Sequence, residues 1–255
     1  MKTAVCIKQV VTRDWPLRVA ESAAWVRDDD ASFEMNEPDA YALEEALRLK
    51  ERHGGEVVVC SAGPARVSQV IREALARGAD RAIHVESEAL STAGADAVAA
   101  ALGGAMKSES FDLVLTGLQS DDQGFGQTGV VLAERLGLPH ATIIMEVDVA
   151  PDGAALRVKR ELESGWFQWV AMPLPALLTI QSGINQLRYA TLRGIMAAKR
   201  KEVRTVQLDG VESQGQRILE LYVPEKTSAT RFIEGSAPEA ARELVQLLRE
   251  EARVL

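Results

Sequence analysis

The chain is poor in the residues that form disulfides and metal sites, with two cysteines and three histidines among 255 residues. Neither residue type recurs at the short spacing of protein metal ligands, so we expect no metal site. Cys6 and Cys60 each lie in an apolar, strand-like run, which favours buried thiols over a disulfide. Together with an N-terminus that lacks a signal-peptide pattern, this cysteine usage predicts a cytoplasmic protein.

The chain also lacks an excess of basic charge and a long apolar run. It has 37 acidic and 29 basic residues, which give a formal net charge of -8. Contacts with a nucleic-acid backbone need a basic surface, so we expect no nucleic-acid binding. No apolar run is long enough to cross a bilayer, and we expect no membrane span.

The usual catalytic motifs are missing as well. The sequence contains no G-x-x-x-x-G-K-[ST] loop, Ser120 lies outside any G-x-S-x-G pattern, and no histidine stands in an evident base position. We therefore expect binding rather than side-chain catalysis, with no catalytic residue. Any redox chemistry would need a bound cofactor.

Strand-like and helical segments alternate through the first half of the chain. Hydrophobic patterns and turn residues predict strands over residues 3–10, 56–61, 81–85 and 111–117, and helices over 38–53, 67–77 and 93–106. Such alternation predicts an α/β fold with a mostly parallel, doubly wound sheet of the adenine-nucleotide-binding type. Ligands of such sheets bind at the carboxyl ends of the strands, so the turns after Val10, Ser61 and Gly117 are candidate site walls.

The second half changes character. Residues 141–149, 154–161 and 166–172 predict antiparallel strands separated by PDG and ESG turns, and residues 173–181 predict a further buried strand. Residues 183–210 are polar and mixed, with a basic run over 199–204. A helix predicted over 237–255 has an apolar face marked by Leu244, Leu247 and Leu248. That face suits either a partner protein or the chain's own domain.

A glycine-rich loop joins the strand ending at Gly117 to a helix predicted over 127–136. Gly124, Gly126 and Gly129 allow close approach of the backbone, and a helix start offers unpaired N–H groups to a phosphate. The loop therefore suits a phosphate, although its glycines could equally serve tight turns. The letters GFGQTG fit the dinucleotide fingerprint G-x-G-x-x-G, but LQSDDQ separates them from the strand, which argues against that motif.

Several acidic residues have simple interpretations. Asp121 and Asp122 suit turn capping, a ribose contact or exposure to water. Glu44 and Glu45, by contrast, are predicted to be surface charges of the helix over 38–53.

Several blocks of sequence together resemble one family. They are MNEPDAYALEEALRLKE (35–51), SAGPARVSQVIREALARGADRAIHVE (61–86), GLQSDDQGFGQTG (117–129), VKRELESGW (158–166) and PALLTIQSGINQLRYATLRGIMAAKRK (175–201). These blocks resemble the beta subunit of electron-transfer flavoprotein over nearly the whole chain. The tail LYVPEKTSATRFIEG (221–235) is similar to a bacterial, AMP-containing subgroup that serves amine dehydrogenases.

The resemblance implies an electron carrier subunit rather than an enzyme. It implies a stable heterodimer with an alpha subunit that holds most of the FAD, while this chain closes one side of the FAD and buries a structural AMP. Flavin dehydrogenases, amine-oxidising ones among them, would donate electrons, and a membrane quinone reductase would receive them. One alternative is an electron-bifurcating beta subunit with a second FAD in place of AMP, although that group has a DGDT-type loop. Another is a stand-alone adenine-nucleotide-binding protein.

The resemblance also implies site residues and a domain division. The nucleotide pocket would comprise Cys6, Asn36, Glu37, Pro38, Asp39, Ala62, Gly117, Gln119, Ser120, Asp121, Asp122, Gln123, Gly124, Phe125, Gly126, Gln127 and Thr128, with the phosphate at the N–H groups of Gly126, Gln127 and Thr128. Dehydrogenases would dock on Tyr189, Leu192, Arg193 and Ile195, with Leu192 inserted into a partner pocket rather than packed in the chain's own core. We expect a nucleotide-binding domain over 1–182, a partner-recognition loop and helix over 183–210, and a C-terminal arm over 211–255 that packs on the alpha subunit. Pro38 stands where other members place an aromatic residue against the flavin.

Overall fold

A computed structural model describes residues 1–150, 153–208, 215–216, 218–225 and 230–255. The chain divides into two compact units, Met1–Leu221 and Tyr222–Leu255. Parts of the predicted PDG turn, of the 183–210 segment and of the C-terminal arm, including letters KTSA of the tail, lie outside the described residues.

The larger unit is an alternation of strands and helices. Its strands are β1 (Lys2–Cys6), β2 (Gln9–Val11), β3 (Phe33–Met35), β4 (Glu56–Gly63), β5 (Arg81–Glu86), β6 (Leu113–Gly117), β7 (His140–Val149), β8 (Ala155–Glu161), β9 (Phe167–Pro173), β10 (Ala176–Ile180) and β11 (Val203–Gln207). Its helices are α1 (Glu37–His53), α2 (Ser68–Arg77), α3 (Ala95–Met106), α4 (Thr128–Leu136) and α5 (Leu192–Ala198). Short 3-10 turns occur at Ala65–Val67, Glu88–Leu90 and Glu163–Gly165.

Nine of the described strands form one sheet in the order β11-β5-β4-β1-β6-β10-β7-β8-β9. The strands from β11 to β7 are parallel, and β8 and β9 extend the sheet as antiparallel neighbours. The remaining two, β2 and β3, pair as a separate antiparallel ribbon. The predicted fold class, a mostly parallel α/β sheet with an antiparallel section, is confirmed.

The apolar runs of the central strands explain this arrangement. Strand β6 is buried along its whole length, as a parallel strand covered on both faces should be. One face packs against α1 and α2 through side chains such as Leu43 and Ile71, and the other packs against α3 and α4 through Leu102 and Leu132. The sheet is therefore doubly wound, with helices on both faces.

Charged side chains close the amino-terminal edge of the sheet. The Glu109 carboxylate, just before β6, accepts hydrogen bonds from Lys2 (2.9 Å), Arg81 (2.7 Å) and Arg204 (3.1 Å). Hydrogen bonds from Arg81 and Lys2 outweigh the effect of burial and lower the pKa of Glu109 to about 2. The cluster joins β1, β5 and β11 to the start of β6.

Two predicted segments differ from the structure. The strand expected over 3–10 ends at Cys6, because the chain leaves the main sheet and continues as β2 alongside β3. The polar segment 183–210 contains α5 and β11, and β11 pairs in parallel with β5 from Val203↔Ala82 to Gln207↔Glu86. Strand β11 is a half-exposed edge strand, so its sequence VRTVQ lacks the apolar run of a central strand.

The smaller unit contains one helix among its described residues, α6 (Ala237–Glu250). A capping box starts it: the Ser236 side chain accepts from the Glu239 N–H, and the Glu239 carboxylate accepts from the Ser236 N–H at 2.9 Å. Pro238 also lies in this first turn. The predicted helix over 237–255 is confirmed except for its last residues. Among the helices in the described ranges, none combines the length and apolarity needed to span a bilayer.

Candidate functional site

A cleft opens at the carboxyl ends of β1, β4 and β6, beneath the glycine loop. Eleven of the predicted nucleotide-binding residues line it: Cys6, Asp39, Ala62, Gly117, Gln119, Ser120, Gln123, Phe125, Gly126, Gln127 and Thr128. Topology brings them together, since parallel strands end at a common edge of the sheet. The sequence interpretation thus selected residues from distant parts of the chain that share one wall in space.

One wall of the cleft was missed at the sequence level. It comes from the turn after β5 and from α3, and its residues are Leu90, Ser91, Ala93, Ala95, Val98 and Leu102. Ile7, Lys8, Thr116, Leu118 and Gly129 line the cleft as well. The strand-end rule could have found this wall, because β5 ends in the same row as β1, β4 and β6.

The glycine loop owes its shape to backbone conformations that favour glycine. Gly124 and Gly126 have φ values of 66° and 63°, and the Gly124 N–H donates to the Ser120 carbonyl at 2.9 Å. Helix α4 then begins at Thr128, and the side chain of its N-cap residue, Gln127, makes no capping hydrogen bond. The first N–H groups of α4 therefore lie at the cleft without a side-chain cap, a geometry that suits an anion.

The start of α4 packs directly on the sheet. A Cβ atom on Gly129 would lie 2.6 Å from Thr116 Oγ1 and 2.7 Å from Thr179 Cγ2. Thr116 and Thr179 are register partners in β6 and β10. Only glycine allows this approach, which fixes the helix start over the ends of two strands.

Residues at the start of α1 hold the loop from outside the cleft. The Asn36 side chain, which is 1% exposed, donates to the Gln119 carbonyl at 3.0 Å and accepts from the Asp121 N–H at 2.9 Å. The Glu37 N–H donates to the Asp121 carboxylate at 3.2 Å. Arg13 binds Glu37 and Asp121 from the solvent side. These residues support the loop rather than line the cleft.

Asp39 joins two strand ends. Its Oδ2 accepts from the Lys8 N–H at 2.7 Å and its Oδ1 accepts from the Gly117 N–H at 2.9 Å. Burial raises the pKa of Asp39 to about 7, against the opposing effect of these hydrogen bonds and the Lys8 charge. A Cβ atom on Gly117 would lie 2.7 Å from Pro38 Cβ and 2.8 Å from the Asp39 nitrogen, so only glycine fits there.

The Lys8 ammonium is the cation that lines the cleft, and the loop neutralises it. It contacts Asp122 at 2.7 Å, Gln123 Oε1 at 3.3 Å and Ser120 Oγ at 3.4 Å. Burial acts to raise the pKa of Asp122, but the Lys8 charge and hydrogen bonds outweigh it and hold that pKa below its ordinary value. Attraction for an anion must therefore come mainly from backbone N–H groups.

Six predicted nucleotide-binding residues do not line the cleft: Asn36, Glu37, Pro38, Asp121, Asp122 and Gly124. Five of them shape the loop or bond to it, as described above. Pro38 is buried beneath Gly117. Their positions at the loop and at the start of α1 make them structural supports of the cleft.

The cysteines lie on neighbouring strands, with Cys6 opposite Cys60 in the β1–β4 register. Both are free and buried. Burial raises the pKa of Cys6 well above its ordinary value and that of Cys60 to about 12, so both thiols stay neutral. Among the described residues there is no cluster of three or more potential metal ligands.

A second candidate site lies on α5. Tyr189 is 90% exposed, Leu192 84% and Met196 64%, and Ile195 and Arg193 are also exposed. We call these five residues the α5 patch. The patch contains all four predicted docking residues, and Met196 was missed. The exposure of Leu192 excludes the alternative that it packs in the chain's own core.

Helix α5 is fixed firmly on α2. A Cβ atom on Gly194 would overlap the carbonyl oxygen of Ala76, so the helices touch through their backbones. Lys201 donates to the carbonyls of Leu75 (2.9 Å) and Ala79 (2.5 Å) at the end of α2. In return, Arg72 of α2 donates to the carbonyls of Ala198 (2.7 Å) and Lys201 (3.2 Å) at the end of α5. Each helix thus caps the other.

The prediction that Glu44 and Glu45 are surface charges is wrong. Glu44 is 4% exposed and binds Arg48 and Arg188, each at 2.8 Å. Glu45 is also buried and accepts from Asn185 Nδ2 at 3.2 Å. Sequence alone could not show this, because the partners Arg188 and Asn185 lie 144 and 140 residues away. These bonds hold the segment that leads into α5 against the middle of α1.

Aromatic side chains cover the exposed face of the β8–β9 ribbon. The Arg157 guanidinium lies 4.2 Å from the Trp169 ring, and the Lys159 ammonium lies 4.3 Å from the Phe167 ring. Trp166, just before β9, is exposed as well. Exposed aromatic rings and arginine are enriched at protein interfaces, so this face is a candidate contact surface.

Comparison with known proteins matches the chain to one family. A family model described as an electron transfer flavoprotein domain matches residues 24–210. An electron transfer flavoprotein subunit beta of Methylophilus methylotrophus is 38% identical, with 98% of both chains covered. The subunit beta of Bacillus subtilis is 34% identical, with 96% of both chains covered. That of Bradyrhizobium diazoefficiens is 38% identical over the full length of both.

Proposed function

The chain belongs to the electron transfer flavoprotein family as a beta subunit, and we propose that it binds a structural AMP in the cleft. We further propose that it closes one side of the FAD held by its alpha subunit and docks flavin dehydrogenases. Electrons would then pass to a membrane quinone reductase. The convergence of the glycine loop, the start of α4 and the strand ends on one cleft is the observation that carries this proposal.

The residues of the cleft fit an adenine mononucleotide. Leu90, Val98 and Leu102 offer an apolar wall for a base, and the N–H groups from Gly126 to Thr128 offer donors for a phosphate. Ser91 and Gln119 supply polar groups for a ribose. Lys8 is neutralised by Asp122, and both carboxylate oxygens of Asp39 accept backbone N–H groups, so the described residues of the cleft would bind and orient the nucleotide without a free base. A structural role for AMP follows from this chemistry.

FAD, when bound, would supply the one-electron chemistry. This chain's contribution would be to enclose it. Pro38 is buried and is not aromatic, so it cannot make the aromatic flavin contact that the family resemblance implies at this position. The exposed pair of Arg13 and Glu37 at the rim of the loop is a better candidate for the surface that faces the flavin side.

Two surfaces suit the protein partners. The aromatic face of β8 and β9 has the composition of a lasting interface, and we assign it to the alpha subunit. The α5 patch is smaller, and we assign it to transient dehydrogenases, amine-oxidising ones included. Two free, buried thiols support a cytoplasmic location.

The deciding experiment is a nucleotide inventory of the complex co-expressed with its alpha subunit. Protein is denatured, and released ligands are quantified by chromatography. We expect one FAD and one AMP per heterodimer. Two FAD and no AMP would instead assign the chain to the electron-bifurcating group. If the chain does not bind the alpha subunit and binds adenine nucleotides by itself, both assignments are contradicted.

Matched variants tie AMP to the loop. Gly126→Ala and Gly137→Ala place alanine at φ values of 63° and 66°, so their backbone strain is similar. Gly137 ends α4 away from the cleft, with open space around it. We expect AMP to be lost from the Gly126 variant and kept by the Gly137 variant. Equal AMP content in the two variants would show that the glycine loop does not bind AMP.

A further inference from the structure

The outer face of α5 combines apolar and cationic side chains. At 100° per residue, Leu192, Ile195, Met196 and Lys199 fall on one face. Gly194 lies on the opposite side, against α2. Arg193 lies beside the outer face, about 100° around the helix from Leu192, and Arg200 lies two residues beyond the end of α5. The apolar residues of the α5 patch are thus edged by three cations.

These three cations are free to meet a partner. Arg193, Lys199 and Arg200 are exposed and form no ion pair within the part of the chain that the structure describes. No acidic residue occurs between Asn185 and Glu202. The other basic side chains of this region, by contrast, are bound within the fold.

Those neighbours already have partners within the fold. Arg188 binds Glu44 and Glu51, Arg72 and Lys201 cap helix ends, and Arg204 binds Glu109. Among the described residues of this region, the unpaired positive charge therefore lies beside the apolar residues of the α5 patch. The whole chain carries a net charge of -8, so this local charge is opposite in sign to the rest.

We propose that the dehydrogenase surface docked by α5 is an apolar pocket edged with carboxylates. This inference rests on the proposed function, which assigns the patch to dehydrogenases. An acidic rim on the partner would pair with Arg193, Lys199 and Arg200 while Leu192 enters the pocket. The overall negative charge of this chain repels an acidic partner. The cations beside α5 would therefore favour the encounter orientation in which α5 faces that partner.

The rigid base of α5 suits this role. The reciprocal caps of α2 and α5 fix the helix before binding, so little ordering entropy is lost when a partner arrives. A membrane with anionic lipids would also attract apolar and basic groups. Helix α5 itself spans less than two turns, which favours insertion into a protein pocket over lying along a lipid surface.

The test uses the complete heterodimer and a panel of flavin dehydrogenases, from which the enzyme that reduces the wild type fastest is chosen. We expect kcat/KM for this reaction to fall as sodium chloride increases. At low salt, Arg193→Glu and Arg200→Glu should each lower kcat/KM about tenfold, mainly through KM. Lys107→Glu, which reverses an exposed charge at the end of α3, should leave it unchanged.

The outcomes distinguish failure of the acidic-rim inference from failure of the proposed docking function. If no dehydrogenase reduces the heterodimer, or if Leu192→Ala reacts like the wild type, the docking function itself fails. If Leu192→Ala is slow but the charge reversals and salt have no effect, the acidic rim is wrong. In a third outcome, the heterodimer binds phosphatidylglycerol vesicles, loses that binding in Arg193→Glu, and is reduced by the dehydrogenase at a rate that does not depend on salt. That combination would assign the cations to a membrane surface.

Discussion

Asp39 links the start of α1 to Gly117 at the cleft: one carboxylate oxygen accepts the Gly117 N–H while the other accepts the Lys8 N–H. The backbone that follows β1 and the end of β6 are thereby bridged by one buried side chain. Gly117 admits this contact because a side chain there would collide with Pro38 and Asp39.

Replacing Asp39 with asparagine should loosen this bridge. An amide has one accepting oxygen, so one of the two N–H groups would face the NH₂ group of Asn. We expect Asp39→Asn to lower the free energy of unfolding by about 1–3 kcal/mol and to reduce AMP content. Denaturant unfolding and the nucleotide inventory measure the two effects. An unchanged midpoint with full AMP content would show that the bridge is dispensable.

Asp39 should also make stability depend on pH. Its pKa is about 7 in the folded chain against an ordinary 3.8, so folding takes up a proton between these values. The stabilising contribution is fully present below pH 3.8 and is lost as pH rises to about 7. Subtracting the unfolding free energies of Asp39→Asn from those of the wild type, pH by pH, should reveal this slope. A difference that stays constant over the interval would contradict the raised pKa.

Gly117→Ala and Gly104→Ala form a contrasting pair. The first inserts a Cβ atom 2.7 Å from Pro38 Cβ, and the second points into open space on α3. We expect Gly117→Ala to destabilise the chain by about 1–3 kcal/mol and to empty the cleft of AMP. Gly104→Ala should stabilise it by about 0.5–1 kcal/mol, as alanine favours helices. Thermal melting compares both, and equal melting temperatures would refute the tight fit at Gly117.

Glu109 should give the opposite pH dependence to Asp39. Its pKa of about 2 lies below the ordinary 4.5, so its contribution is present above pH 4.5 and is lost as pH falls towards 2. We expect Glu109→Gln to lower the free energy of unfolding by about 1–3 kcal/mol at neutral pH and less in acid. Glu134→Gln, on the exposed side of α4, is the control and should have little effect. A Glu109→Gln deficit that persists at about pH 2 would argue against the ion cluster as its cause.

Leu192→Ala tests the anchor of the α5 patch. We expect slower electron transfer from the dehydrogenase, by about tenfold or more, because a buried anchor contributes about 1–3 kcal/mol to docking. FAD content should not change, because the proposed function places the FAD mainly on the alpha subunit and assigns Leu192 to dehydrogenase docking. AMP content should not change either, since Leu192 does not line the cleft. Leu17→Ala removes another exposed leucine and should leave the rate unaltered. A loss of FAD alongside the rate would point to misassembly instead of docking.

The sequence predicted most of the main sheet because those strands carry continuous apolar runs. Val57 to Cys60 and Leu113 to Leu115 are buried on both faces, and their continuous apolar residues predict that burial. Strand β11 was missed because Val203 and Val206 are separated by polar residues at an exposed edge. Local pattern cannot distinguish such a strand from a loop, since only β5 alongside it supplies the hydrogen bonds.

The cleft was predictable in part for a similar reason. Glycines and strand ends have local signatures, so the turn after Gly117 and the loop that contains Gly126 could be assigned to a site from the residue pattern, whereas Thr128 was implied by the family resemblance. The burial of Glu44 had no local signature, because its partner Arg188 is brought near only by the folded chain. The same holds for Lys201, which caps α2 from a distant part of the sequence.

Helix α1 sets the spacing between the two candidate sites. Asn36 and Asp39 at its start hold the glycine loop, and Glu44, farther along the helix, holds the segment that leads to α5. The step from Asn36 to Glu44 corresponds to about 12 Å of helix. Insertion or deletion of one residue between Asp39 and Glu44 would turn the two ends by about 100° relative to each other. The loop and the docking segment could not then both keep their bonds, so the length of α1 is as constrained as its sequence.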